Sequence, residues 1–141
     1  MIAPRRRPQL NGRRGAFQIV LAIVYLLIGA SFFVLPSNPS RDHAFTWLHP
    51  VLLNAAAVLW IIAGATALVC AFLPRPKDAA GFVALVFAPG IWVGLFLAAA
   101  AVTGSIPAAL SAIVYGAFGA VPLIVSGMEG PRDRDHREVA A

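Results

Sequence analysis

Residues 51–73, VLLNAAAVLWIIAGATALVCAFL, form a run of 23 residues without a charged side chain, closed by Pro50 and Pro74. As a helix rising ~1.5 Å per residue the run is about 35 Å long, enough to cross a ~30 Å hydrocarbon core. A soluble core helix is seldom so long and apolar on every side. Residues 16–35, 79–102 and 106–126 match it. Lipid offers backbone groups no partner, so each stretch is expected to be a helix. The fold class expected is all-α: an antiparallel four-helix transmembrane bundle. It comprises one membrane domain, 16–126, between a basic arm, 1–15, and a charged tail, 127–141.

Charge sets the expected orientation. The arm holds Arg5, Arg6, Arg7, Arg13 and Arg14 and no acid, while Pro4, Pro8 and Asn11-Gly12 argue against a helix there. Its expected role is a surface anchor on anionic headgroups. No aromatic residue is interleaved for base stacking, so no nucleic-acid partner is expected. With the N-terminus inside, the arm, the loop carrying Arg75 and Lys77, and the tail carrying Arg132, Arg134 and Arg137 share one side. That side then holds ten basic residues and the other only Arg41. Both termini are therefore expected in the cytoplasm, with the bundle in the cytoplasmic (inner) membrane. Gly29-Ala30-Ser31 has the small-residue character of a signal cleavage site, but the apolar run continues through Leu35, so the first span is read as retained.

The spans carry few polar groups. Asn54 is expected to find a hydrogen-bond partner on a neighbouring helix, and Tyr25 needs one for its hydroxyl. Tyr25, Trp60, Trp92 and Tyr115 fall at similar depth and are expected to fill the bundle centre. Pro89 lacks a backbone N–H and crowds the carbonyl of Leu85, so a kink is expected within 79–102. Gly90, Gly94 and Ala98 repeat at four, as do Ala108, Ala112, Gly116 and Ala120, and both ladders permit close helix crossings. The five-residue link 74–78 and the turn 103–105 are tight, so the last three helices should form the antiparallel core and the first should be the least constrained. Ser105 is placed to cap the fourth helix, with Pro107 in its first turn. In the outer loop, 36–50, Ser40 could cap a short interfacial helix carrying Ala44, Phe45, Trp47 and Leu48.

Chemistry is sparse. No Asp, Glu, Lys, Arg or His falls inside the four expected spans, whereas proton relays and coupled ion transport usually require one. There is no phosphate-binding glycine loop, no HExxH pair and no nucleophile beside a base. Asp42, His43 and His49 are the only cluster resembling a metal or acid–base site, and the default reading is solvated loop residues. Cys70 is the only cysteine and reads as a small core residue. No catalytic, metal or cofactor site is expected, and the chain is not read as an enzyme.

The Arg-for-Lys usage, with ten Arg and only Lys77, and the heavy Ala, Gly and Pro content resemble small four-helix membrane proteins of high-GC actinobacteria and their phages. That resemblance is compositional and extends over the whole chain. In size the chain is also similar to small four-helix multidrug exporters, but residues 16–35 lack the glutamate that family carries in its first helix. The leading expectation is a non-catalytic multi-pass protein acting through helix–helix association, as an accessory or assembly partner. Its partner would be the lipid bilayer and either a second copy or another membrane protein. The alternative is a holin-like lysis protein that oligomerises and permeabilises the membrane. A small channel or uncoupled transporter, lined by Ser31, Asn54, Thr66, Ser111 and Tyr115, comes third.

Overall fold

A computed structural model describes residues 10, 12–35 and 44–128. Four helices account for most of them: α1, Gly12–Val34; α2, Pro50–Cys70; α3, Ala79–Thr103; and α4, Ile106–Gly127. All four are long and apolar enough to cross a membrane. Arg5, Arg6, Arg7, the expected interfacial cap Ser40, and the tail from residue 129 lie outside the described residues.

Local chemistry accounts for the helix ends. His49 caps α2, its Nδ1 accepting from Val51 N–H at 3.3 Å, and Pro50 opens the helix. Ser105 caps α4 as expected, its Oγ accepting from Ala108 N–H at 3.3 Å, with Pro107 in the first turn. Gly104 closes α3 with a left-handed φ of 66°, so the α3–α4 turn needs a residue without a Cβ penalty. α2 stops at Cys70, short of the expected 73, and tight turns carry the chain on through Leu73. α1 begins at Gly12 rather than 16. Apolarity marked the span but not the helix, because arginines are good helix formers whose stems lie along apolar surface.

Close contacts fix the register. Gly29 of α1 meets Trp60 and Ile61 of α2, and Gly64 of α2 meets Ala22 and Leu26 of α1, so these helices are antiparallel. Gly81 at the start of α3 sits on Ala67 and Cys70 near the end of α2. Gly116 and Gly119 of α4 approach Val93 and Pro89 of α3 in the same reversed sense. α1 and α3 are therefore parallel, and long side chains bridge them at a constant offset of sixty residues. Gln18 bonds the Asp78 carbonyl, Tyr25 bonds the Leu85 carbonyl, and Phe32 packs on Trp92 at 5.1 Å. Those three layers are seven residues apart on each helix, which is close to two turns.

This order corrects one expectation. α1 is not the loose helix. Glycines at Gly29 and Gly64 bring its backbone against α2, where an added Cβ at Gly64 would lie 2.8 Å from the Ala22 carbonyl oxygen. The peripheral helix is α4, which packs along α3 and leaves Ile106, Leu110, Ile113, Val114, Val121, Leu123 and Ile124 facing outward. Around the centre, Tyr25 meets Trp60 edge-on at 4.6 Å, and Trp60 and Trp92 lie 5.7 and 6.1 Å from Tyr115. The four aromatics thus fill the bundle centre. Ala44 is helical and residues 45–48 turn, the rest of the expected interfacial helix back to Ser40 lying outside the described residues, and Phe45 inserts beside Trp92 and Phe96.

Candidate functional site

Arg14 is the residue on which the elements converge. It lies in the first turn of α1, and its side chain turns inward rather than onto the membrane surface. Its Nε donates to Asp78 Oδ2 at 3.0 Å, and the two side chains are 14% and 1% exposed. Its Nη1 donates to the Val125 carbonyl at 3.4 Å and to the Ser126 carbonyl. The guanidinium also lies 4.5 Å from the Phe82 ring centre. One side chain of α1 therefore reaches the start of α3 and the end of α4.

The surrounding groups fit this role. Val125 and Ser126 lie in the last turn of α4, whose carbonyls lack the ordinary donor four residues on and carry partial negative charge, although Val125 also accepts from Met128 N–H at 3.2 Å. Arg75, from the α2–α3 connection, donates to the next such carbonyl, Met128, at 2.8 Å. Two guanidinium groups thus cap α4. Asp78 precedes α3, and its own carbonyl accepts from Gln18 Nε2 at 2.9 Å. Gln18 is fully buried, and its Oε1 meets no donor among the described residues. Every Arg, Lys, Asp or Glu among the described residues lies at this end: Arg13, Arg14, Arg75, Lys77 and Asp78.

A second polar contact lies deeper. Pro89 has no N–H to return to the Leu85 carbonyl, and the Tyr25 hydroxyl donates to that oxygen at 2.8 Å. α3 runs through Pro89 as one helix, with the proline ring buried against Gly119 of α4. Trp92 Nε1 reaches the Ala56 carbonyl at 3.3 Å, whereas Trp60 Nε1 is buried with no acceptor among the described residues.

The remaining expected residues divide by face. Ala108 and Ala112 are buried, but Gly116, although near Val93 of α3, and Ala120 are exposed, and the buried series continues through Gly119 and Pro122. A ladder of four-residue steps rotates about 40° per step around a 3.6-residue helix, so it leaves its face within three turns. Gly90 and Gly94 are exposed, and a Cβ on either would meet nothing within 4 Å; Ala98 is half-buried. Tyr115 is half-buried in the aromatic cluster. Asn54 is exposed on the outward side of α2, with no hydrogen bond among the described residues. No group of metal-binding side chains occurs among the described residues, and His49 is used as a helix cap.

Sequence reasoning missed the Arg14–Asp78–Gln18 node and the glycines at 29, 64 and 81. The available signal was a lone acid, Asp78, in a basic link at the mouth of one span, with an arginine and a glutamine at the mouth of a parallel one. The chain is a multi-pass membrane protein in contact with the lipid bilayer, with four spanning helices among the described residues. Comparison with family models, with curated proteins and with solved structures finds no match to it.

Proposed function

We propose that the chain is a non-catalytic membrane protein that acts by helix association, as an accessory or assembly partner, with both termini in the cytoplasm. The observation that supports this reading is the outward face of α3. Gly90 and Gly94 leave a notch there, with nothing among the described residues beyond the adjoining α3 backbone within 4 Å of either missing Cβ, flanked by exposed Phe87 and Leu97. Small residues on a lipid-facing helix allow a second backbone to approach closely. A pore through the chain's own centre is disfavoured, because buried Tyr25, Trp60 and Trp92 occupy it.

The test is crosslinking in native membranes. Gly90→Leu with Gly94→Leu fills open space, so it should remove crosslinked species while leaving the thermal midpoint of the detergent-solubilised chain unchanged. Gly64→Leu, placed against the α1 backbone, should lower the midpoint instead. Undiminished crosslinking in the Gly90/Gly94 variant would sink the reading. A holin-like lysis protein is the second reading, and Asn54 is the observation that favours it. An amide facing lipid is costly, and assembly around water or a second copy would relieve it.

A further inference from the structure

We propose that the groove between the charged ends of α3 and α4 is a binding site for one anionic phospholipid. The groove has a volume of about 380 Å³, and Phe82, Val83, Val86, Phe87 and Leu123 line it, with Arg14 at its charged end. It lies along the first turns of α3 and the last turn of α4, within one leaflet. An acyl chain fits its apolar walls, which face hydrocarbon in a membrane-spanning bundle.

Charge complementarity decides the headgroup. Arg13, Arg75 and Lys77 are exposed at the same end, and Arg14 keeps an Nη2 that makes no hydrogen bond among the described residues. The one acid among the described residues, Asp78, is buried behind Arg14 and does not face outward. Among the described residues the exposed rim is therefore basic, and basic pockets between spanning helices suit anionic lipid headgroups. A phosphate with a net negative charge is favoured at this rim, whereas a zwitterionic headgroup brings its own cation to those of Arg13, Arg14 and Lys77. The site depends on the groove and its rim, not on self-association of the chain.

The test uses the full chain in phosphatidylcholine vesicles holding a trace of phosphatidylglycerol with a photoreactive acyl chain. After irradiation, adducts should concentrate on Val83, Phe87 and Leu123 rather than on outward residues elsewhere, such as Ile23 and Ile62. Unlabelled phosphatidylglycerol should displace them at roughly fivefold lower concentration than phosphatidylcholine, the factor expected from one basic side chain near an anionic headgroup. Val83→Trp should reduce adducts on Phe87 and Leu123 and spare the other faces. Arg14→Gln should narrow the difference between the two lipids without closing it, since Arg13 and Lys77 remain at the rim. Should Arg14→Gln fail to insert, competition on the unaltered chain decides the headgroup and Val83→Trp decides the groove. Adducts spread evenly around the bundle would overturn the site, and equal displacement by both lipids would overturn its anionic preference.

Discussion

Tyr25 and Pro89 act as one unit although they sit on different helices. Proline removes a donor from the middle of α3, and a carbonyl without its donor is costly in lipid. The Tyr25 hydroxyl takes that place on the Leu85 carbonyl, and its ring also closes against Trp60. The prediction is a coupling. Tyr25→Phe alone should cost about 1 kcal/mol, in the range of hydrogen bonds between membrane helices. In a Pro89→Ala background the alanine N–H serves the Leu85 carbonyl, so the same change should cost close to nothing. Chemical unfolding of the four variants in detergent micelles measures both terms. Equal costs in the two backgrounds would show that the hydroxyl does not stand in for the missing donor. Both partners were legible in the sequence, as a proline freeing Leu85 and a tyrosine needing an acceptor. Their pairing was not, because it depends on α1 and α3 running parallel at a fixed offset.

Among the elements, α4 is held differently from the rest. Tight glycine contacts join α1 to α2 and α2 to α3, whereas the contacts of Gly116 and Gly119 with α3 are looser, at 3.9 and 3.6 Å. Arg14 and Arg75 secure its end, and Arg14 also holds buried Asp78. Removing Arg14 with Arg14→Leu takes the guanidinium from a buried carboxylate and from the α4 terminus together. A loss of about 3 kcal/mol is expected, the scale for removing one partner of a buried pair. Hydrogen exchange over residues 120–128 should rise with it, while α2 stays protected. The double change Arg14→Leu with Asp78→Leu should recover part of the stability but not the protection of α4, since its carbonyls still lack the arginine. Protection restored by the double change would mean that the ion pair alone, and not the contact with the Val125 and Ser126 carbonyls, secures the helix. The spans themselves were readable because hydrophobic runs of this length have few other uses. The clasp was not, because residues 1–15 read as a flexible basic arm. Prolines and Asn11-Gly12 argued for coil, and the helix nonetheless includes Arg13 and Arg14.

For the whole molecule, the question is what the outward faces do. The chain buries its largest aromatics at its own centre and turns Gly90, Gly94 and Asn54 away from it. An association partner and a holin-like protein would both use such faces, and they differ in consequence. Lysis requires that assembly open a path for ions, and the packed centre gives none within one copy. A path would have to form between copies, where Asn54 would meet water. Induced expression with a potential-sensitive dye separates the two. The association reading predicts sustained growth and an intact potential at full membrane insertion, with crosslinking that depends on Gly90 and Gly94. The holin-like reading predicts an abrupt, timed collapse. That collapse should be delayed or lost in both Asn54→Leu and the Gly90→Leu/Gly94→Leu pair, since one changes the wetted face and the other the contact. A collapse that both variants leave untouched would mean that neither face is the machinery. An intact potential with no crosslinked species at any expression level would remove self-association altogether and leave a different membrane protein as the occupant of the α3 notch.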